Sequence, residues 1–339
     1  MTSWLLPPLP PRFDAALRDV HARSNEARLA AAERLGQPDA GRESEALEGL
    51  LTLCRDRDGR VRAAALRGLP GHDDPRVTRE ILDALDDGDA LVREVAVVSL
   101  AGIDDPRALP ALERALHSPH PEVRFQAAES YVQAHEAPEP SRLEPLLDDD
   151  DARVREGAVL ALSALGAAAA DGLARAVDDP VWRVRARAAL ALAEQGDERG
   201  AGLLVQALGD PELVVPALDA LAQLQHRPAI EPIAAIAQAY LKPLPLKVAA
   251  ARALCRMQDA RGVPVLRSVL RAFRPDGRSY AAEVIGELGL TELEDELQRL
   301  KYRPRGADPE VVDTSLRALR ASGRDEALTA PAQEPPGGR

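Results

Sequence analysis

The side chains of this 339-residue sequence that could do chemistry are its histidines, its two cysteines and its clustered aspartates. His117 and His120 flank a proline turn with a spacing that suits two metal ligands, and His135 is followed by Glu136. A metal centre needs three or more nitrogen, oxygen or sulfur ligands that converge on one point. Because nothing near these histidines completes such a set, we predict no metal, no cofactor and no catalytic residue.

The carboxylates cluster most densely in Asp148–Asp151 and in Asp86-Asp87-Gly88-Asp89. An EF-hand calcium loop alternates its acids with other residues and closes with a glutamate, and neither cluster does so. Aspartate also caps helices, because its carboxylate accepts hydrogen bonds from the first N–H groups. We therefore interpret both clusters as turn caps. The sequence also lacks a Gly-rich phosphate loop, a His-Glu-x-x-His helix and a Gly-x-Ser-x-Gly elbow.

The cysteines indicate the compartment. Cys54 and Cys255 lie about 200 residues apart in different copies of the repeat described below, too far apart to form a disulfide in one chain. The N-terminal sequence has neither the cationic lead nor the apolar run of a secretory signal, and no segment approaches eighteen uncharged apolar residues. We predict a cytoplasmic protein with no membrane partner.

The chain is built from a sequence repeat of about thirty-one residues, and this repeat determines where the histidines, cysteines and aspartates lie. With Val154 taken as position 0, the repeat recurs in steps of 29 to 34 residues. Position 4 is alanine in nine of ten copies, and position 8 is always a large apolar residue. Positions 0, 4 and 8 therefore form an apolar stripe at helical spacing. The copies of position 0 are Ala27, Val61, Val92, Val123, Val154, Val184, Leu213, Leu246, Gly277 and Val311.

An apolar segment precedes this helix in each copy, as in the predicted first helices 141–147 and 228–241, and Asp-Pro pairs mark many of the joints. A hairpin of two helices cannot bury its own apolar face, so neighbouring copies must stack. We predict an all-α solenoid over residues 13–328. The prolines of residues 1–12 predict an arm that caps the first repeat or binds a partner, and residues 329–339 predict a disordered tail.

Each good copy has an acid in the turn, then Val-Arg, with Ala four places and Leu eight places after the valine. This pattern resembles the bacterial HEAT repeats of the type named after phycobilisome lyases. The match covers about residues 13–320, with its best copies at 56–69, 87–100, 149–162 and 179–192. The resemblance implies a right-handed α-solenoid, a superhelix of about ten HEAT-like hairpins. In that family the turn acid and the position 1 arginine form a ladder between neighbouring repeats. Carried onto this chain, the ladder residues are Asp56, Arg62, Asp87, Arg93, Asp149, Arg155, Asp179 and Arg185.

The ladder acid is replaced in four copies, which suggests a change in curvature after residue 205. The replacements are Ser118, Leu208, Leu241 and Ala272.

Three enzyme-like branches of the family can be tested against the residues. The deoxyhypusine hydroxylase branch binds two irons through several His-Glu pairs, whereas this sequence has one pair. Bilin lyases line their concave face with aromatics and acids, which this sequence offers weakly. HEAT-like DNA glycosylases need a basic concavity with aromatic residues, which the net charge of −12 disfavours. We predict that the protein is not an enzyme, and the lyase-like or hydroxylase-like role stays as the alternative.

Net charge is −12, and its distribution is uneven. Residues 73–151 carry twenty acids and seven arginines, whereas residues 242–278 carry nine bases and two acids. Nucleic-acid binding requires clustered lysine and arginine, so we predict no nucleic-acid partner. The acidic stretch instead favours a protein partner with a basic segment, and an inhibitor or immunity partner of a basic enzyme is a specialised form of this reading.

Positions 2 and 6 of the second helix fall off the apolar stripe and are expected on the concave face. We predict a non-enzymatic scaffold or adaptor whose acidic groove binds another protein there. The predicted contacts are Glu94, Val98, Phe125, Glu129, Glu156 and Leu160, and the same positions in later repeats include Ala186, Leu190, Val215, Asp219, Val248 and Arg252. The lengthened loop near residue 240 predicts a second recognition site, because extra residues on a rigid array often bind partners. Its residues are Tyr240, Lys242 and Leu244.

Overall fold

The computed structural model describes residues 12–272, 274–302 and 307–329, with side chains described up to residue 321. These residues form twenty α-helices and five short 3-10 segments, and no strand occurs among them. The chain divides into two compact units, Met1–Arg187 and Ala188–Arg339. The predicted arm lies outside the described residues except for Arg12, and the predicted tail lies outside them except for Thr329.

Unit 1 consists of helical hairpins in which each odd-numbered helix is followed by its even-numbered partner. Its helices are α1 (Phe13–Asp19), α2 (Asn25–Leu35), α3 (Glu43–Leu53), α4 (Gly59–Gly68), α5 (Pro75–Ala84), α6 (Ala90–Ala101), α7 (Ala108–Ala115), α8 (Pro121–Ala134), α9 (Pro140–Leu143), α10 (Ala152–Ser163) and α11 (Ala170–Ala176). The division between the units falls within α12 (Trp182–Glu194).

Unit 2 repeats the arrangement. Its helices are α13 (Ala201–Ala207), α14 (Val214–Gln223), α15 (Ile230–Gln238), α16 (Leu244–Arg256), α17 (Gly262–Leu270), α18 (Pro275–Glu287), α19 (Glu294–Lys301) and α20 (Pro309–Thr329). Five 3-10 segments lie before or beside first helices, at Glu144–Asp148, Gly166–Ala169, Glu198–Gly200, Arg227–Ala229 and Thr291–Leu293.

The apolar stripe forms the core of each unit. Second helices pack on the second helices of neighbouring repeats, in unit 1 from α2 through α10 and in unit 2 from α14 through α20. The position 4 alanines are fully buried, as Ala127 and Ala158 show, and the position 8 residues Tyr131 and Leu162 are at most 1% exposed. A methyl side chain at position 4 lets two helix backbones approach closely, while the larger residue at position 8 fills the space beside it.

Turn aspartates begin many second helices. Asp58, Asp89 and Asp151 each accept a hydrogen bond from a main-chain N–H two residues later, at 2.9, 3.0 and 2.8 Å. This side-chain cap satisfies one of the N–H groups that a helix leaves free at its first turn. The interpretation of the aspartate clusters as turn caps therefore matches the contacts of Asp89 and Asp151.

Two predicted first helices differ in the structure. The segment expected to be helical over 141–147 is one α-helical turn, α9, followed by the 3-10 segment Glu144–Asp148. Pro145 lacks an N–H group, so it cannot continue the α-helical hydrogen bonds there. The helix expected over 228–241 ends at Gln238, because Ala239 adopts an extended conformation with φ −61° and ψ 127°.

Candidate functional site

A groove lies between the second helices α8 and α10 of unit 1. Phe125, Glu129, Val132 and Gln133 follow one another along α8 at helical spacing, so they lie on one face of that helix. The groove has a volume of about 370 Å³. Its lining residues are Phe125, Glu129, Val132, Gln133, Gly157, Leu160, Ala161 and Ala164, and we call it the α8/α10 groove.

Phe125 and Leu160 supply exposed apolar surface in this groove. Phe125 is 37% exposed and Leu160 is 46% exposed. Gly157 makes room for the aromatic ring, because a Cβ atom at residue 157 would lie 2.7 Å from Phe125 Cδ2. Gly157 was not among the residues predicted for this surface. The signal that could have found it is a glycine at position 3 directly after a repeat with an aromatic residue at position 2.

Glu129 supplies the carboxylate of the groove. Its side chain is exposed, and Oε1 accepts a hydrogen bond from Gln133 Nε2 at 3.1 Å. No described residue forms an ion pair with Glu129, so the carboxylate is available to a cation from a partner. On the neighbouring helix α6, Val98 is 49% exposed and Glu94 is half-buried.

Glu156 does not contribute a free acid to this surface. Its carboxylate pairs with the Arg187 guanidinium, and Arg183 Nε lies 3.8 Å away. Arg187 stands at position 3 of the next repeat, so a cation from one repeat neutralises the acid from another. The acidic character expected at residue 156 is therefore cancelled within unit 1.

Two residues expected on the exposed face are buried. Val248 is 0% exposed because it belongs to a core cluster of unit 2 that includes Leu266 and Ala281. Ala186 is likewise 0% exposed. Val215, at the same repeat position as Phe125, is 41% exposed in unit 2.

Ion pairs join neighbouring repeats of unit 1 along the turns. Arg62 binds Asp87 through two hydrogen bonds, at 2.8 and 2.6 Å, and Arg155 binds Asp179 at 2.6 and 3.1 Å. The Nη1 group of each arginine also donates to the main-chain carbonyl of the turn aspartate in its own repeat, as Arg155 does to Asp149 O at 2.8 Å. Each arginine therefore fixes its own turn and the turn of the next repeat.

The structure pairs the other expected ladder acids with arginines that were not named. Asp56 binds Arg28, and Asp149 binds Arg124 at 2.6 and 2.7 Å. Arg124 and Arg28 hold the pKa of their partner aspartates below the ordinary range, because they donate hydrogen bonds to the charged carboxylates.

Two ladder arginines have other partners than the expected turn acid. Arg93 pairs with Glu122, since Ser118 occupies the usual acid position and Glu122 reaches the guanidinium from the first turn of α8. Arg185 donates to the carbonyls of Asp179 and Pro180, at 2.7 and 3.1 Å.

The predicted loop site divides into an exposed part and a packed part. Tyr240 is 93% exposed and Lys242 is exposed, and both lie between α15 and α16. Leu244 instead begins α16 and is partly buried against the unit 2 core, where its side chain lies over Gly277. Leu241, which the loop prediction left out, is 91% exposed.

The histidines have structural positions. His120 precedes α8 and lies 4.0 Å from Glu122, and His135 ends α8, where its Nδ1 accepts a hydrogen bond from Ala137 N at 3.1 Å. The described ranges contain no group of three or more histidine, cysteine, aspartate or glutamate side chains placed to hold a metal ion. No helix in the described part of the chain is long and apolar enough to cross a membrane.

The stacked hairpins define an all-α solenoid built from repeats. The family described as HEAT repeats matches residues 14–101, 47–132, 78–163 and 139–225, and the PBS lyase HEAT-like repeat matches residues 246–272. The uncharacterized phycocyanin operon protein Z of Pseudanabaena tenuis is 31% identical over 178 residues, which cover 50% of this chain and 87% of that protein. The chain belongs to the HEAT-repeat proteins of the phycobilisome-lyase-like type.

Solved structures show the same fold at low identity. YibA of Escherichia coli aligns with a TM-score of 0.53 at 19% identity, over 88% of this chain and 97% of YibA. Importin beta aligns with a TM-score of 0.58 at 14% identity, over 91% of this chain and 52% of importin beta. Kap95p, solved with RanGDP, aligns with a TM-score of 0.57 at 13% identity, over 94% of this chain and 52% of Kap95p. The predicted all-α solenoid is confirmed.

Proposed function

We propose that this protein is a non-enzymatic adaptor that binds a partner protein in the α8/α10 groove. The observation that carries the proposal is Phe125, an aromatic ring that is 37% exposed and rests over Gly157 in a groove of about 370 Å³. Aromatic side chains held rigidly in clefts provide much of the binding energy at protein interfaces. Kap95p, which shares the fold, binds RanGDP, and this precedent supports a protein partner.

The groove defines the chemistry of the partner. Phe125 and Leu160 would pack against an apolar side chain, and the Glu129 carboxylate would pair with a lysine or arginine about one helical turn further along the partner. Along α8, the lining residues Phe125, Glu129, Val132 and Gln133 lie on one face of the helix and extend the groove over about two helical turns. A short amphipathic helix with one apolar and one basic residue on the same face fits this shape.

The free cysteines indicate where the function takes place. Cys54 and Cys255 are both unpaired, and burial raises the pKa of the Cys54 thiol to about 12. Unpaired thiols favour a reducing compartment. We place the adaptor in the bacterial cytoplasm.

The test is a selection of random short peptides displayed on phage against the purified protein, with affinities then measured by fluorescence anisotropy. Enriched peptides should combine an aromatic or aliphatic residue with a lysine or arginine. Phe125→Glu should weaken their binding by about a hundredfold, because the substitution removes the aromatic anchor and places a charge in an apolar site. Glu129→Lys should weaken binding by about tenfold and remove its dependence on salt.

Val215→Glu is the matched control, since Val215 occupies the same repeat position in unit 2 and is 41% exposed. It should leave the affinity unchanged. Peptides that bind Phe125→Glu as tightly as the unaltered protein would refute the proposed site, and so would equal losses in the Phe125→Glu and Val215→Glu variants.

A further inference from the structure

The turn between α15 and α16 projects two apolar side chains into solvent. Tyr240 is 93% exposed and Leu241 is 91% exposed. Extended residues hold the turn on both sides, Ala239 with ψ 127° and Pro243 with φ −56° and ψ 143°. Proline fixes its own φ and restricts the residue before it, so the turn loses little conformational freedom when its side chains become buried.

Turns of neighbouring repeats lie at the same end of unit 2. The first helices α15, α17 and α19 pack in order, and so do the second helices α16, α18 and α20. Leu244 at the start of α16 lies over Gly277 near the start of α18, and Asp308 N donates to Ser279 Oγ at 2.9 Å. Successive turns are therefore about 10 Å apart, the spacing of packed helices. Tyr302, which ends α19 at this side, is 80% exposed.

Cations accompany these apolar residues. Lys242, Lys247 and Arg274 form no ion pair with any residue that the structure describes. Arg271 is 70% exposed, and its closest carboxylate, Glu296, lies at 4.0 Å. Acids also lie at this end of unit 2: Asp276 in the first turn of α18, and Asp308 and Glu310 at the start of α20. We define the turn edge as Tyr240, Leu241, Lys242, Lys247, Arg271, Arg274 and Tyr302.

We propose that the turn edge binds peripherally to an anionic lipid bilayer. Tyrosine is enriched at the membrane–water interface, and lysine and arginine are attracted to anionic headgroups. Stable peripheral binding requires two signals, and here inserted apolar side chains and adjacent cations provide both. Tyr240, Leu241 and Tyr302 are 80% exposed or more, so little of the protein covers these side chains. A deformable bilayer can accommodate several separate tips, whereas a protein would need a matching pocket for each.

This surface is separate from the α8/α10 groove, which lies in unit 1. The sequence-based expectation of no membrane partner rests on the lack of a spanning segment, which a peripheral contact does not require. The two proposals therefore stand or fall independently.

The experiment is flotation of the full chain with vesicles of phosphatidylcholine alone and of phosphatidylcholine mixed with phosphatidylglycerol. The protein should float with the anionic vesicles and remain in solution with the neutral ones, and high salt should weaken the interaction. The double variant Tyr240→Ser/Leu241→Ser should lower the partition coefficient at least about tenfold, because two inserted apolar side chains are lost. Lys242→Glu/Arg274→Glu should also lower it and should abolish the effect of salt.

Leu91→Ser is the matched control. Leu91 is a 40% exposed leucine beside an acidic turn of unit 1, so its replacement should not change flotation. Circular dichroism establishes that each variant is folded, since Tyr240 and Leu241 contribute little to the core. The proposal is overturned if the protein floats with neither vesicle, or if it binds soluble polyglutamate but no vesicle. It is also overturned if Tyr240→Ser/Leu241→Ser floats as well as the unaltered chain.

Discussion

The interaction that most directly tests how the repeats are held together is the ion pair of Arg155 and Asp179. Arg155 Nε and Nη2 bind the two carboxylate oxygens at 2.6 and 3.1 Å, and the two side chains are only 11% and 5% exposed. Nη1 also donates to the carbonyl of Asp149 at 2.8 Å. Arg155→Ala therefore leaves a buried carboxylate without its counter-ion and a partly buried carbonyl without its donor.

We expect Arg155→Ala to lower the free energy of unfolding by about 3 kcal/mol. Breaking a buried pair by removing one partner costs roughly 3 to 5 kcal/mol, and the residual exposure of Arg155 places this case at the lower end. Arg153→Ala is the control, because Arg153 is 73% exposed and pairs with Asp151 within the same turn. An exposed pair contributes about 0.5 kcal/mol. Urea unfolding followed by circular dichroism at the helix band measures both variants.

A double-mutant cycle with Asp179→Ala separates the pair from other losses. Strong coupling between the two substitutions is expected, because neither side chain has another charged partner as close. If Arg155→Ala and Arg153→Ala destabilise the protein equally, or if the coupling is near zero, the ladder does not hold the repeats together and the reasoning is wrong.

The ladder ion pair, or rung, formed by Arg124 and Asp149 should make the stability of the fold depend on pH. Hydrogen bonds from Arg124 hold the pKa of Asp149 below its usual range, so the folded state binds the proton more weakly than the unfolded chain, whose aspartates titrate near about 3.9. The rung therefore stabilises the fold fully above that pH, and this stabilisation is lost as the pH falls through the folded pKa. Asp149→Asn should have a lower melting temperature at neutral pH and a flatter acid dependence.

Three further outcomes follow from local geometry. Gln258 has a positive φ of 59°, which glycine adopts at lower cost, so Gln258→Gly should raise the free energy of unfolding by about 1 kcal/mol. Gln225→Gly should raise it less, because the substitution removes the side-chain amide that donates to Arg256 O at 2.9 Å. Thermal melting compares the two variants. Gly157→Ala should destabilise the unaltered chain by about 1 kcal/mol through collision with Phe125, and should stabilise the Phe125→Ala variant, since alanine is the better helix former. The Cys54 thiol is partly buried, and burial raises its pKa to about 12, so it should react with a thiol reagent at neutral pH much more slowly than an exposed cysteine; labelling as fast as that of a free thiol would contradict this.

The periodicity predicted the fold because the stacking of the second helices depends on residue size at two fixed positions of the repeat. Alanine at position 4 and a large apolar residue at position 8 must both be buried if the second helices stack, and Ala158 and Leu162 are 0% exposed. The ends of the first helices were less predictable. Pro145 and Ala239 end α-helical hydrogen bonding at residues where the apolar pattern itself continues.

The candidate site was only partly predictable from the sequence. Helical spacing places Phe125, Glu129 and Leu160 on one surface, and the structure brings these three together in the α8/α10 groove. Helical spacing within one repeat does not predict that Glu156 is neutralised, because its partner Arg187 lies 31 residues away in the next repeat. Helical spacing also does not predict that Val248 is buried, because burial at position 2 depends on the size of the neighbouring side chains.

The ladder and the turn edge are alternative uses of the same turn position. In unit 1 the turn residue is usually an acid, and a ladder arginine binds that acid in a buried position, as Arg155 does with Asp179, whose side chain is 5% exposed. In the turn between α15 and α16 that position is Leu241, which an arginine cannot bind, and the residue is 91% exposed. Exposure of a leucine to water is unfavourable and does nothing for stacking. Leu241→Asp should therefore leave the stability of unit 2 unchanged or increased, measured by urea unfolding, while it abolishes flotation with anionic vesicles. A marked loss of stability would instead assign Leu241 a structural role.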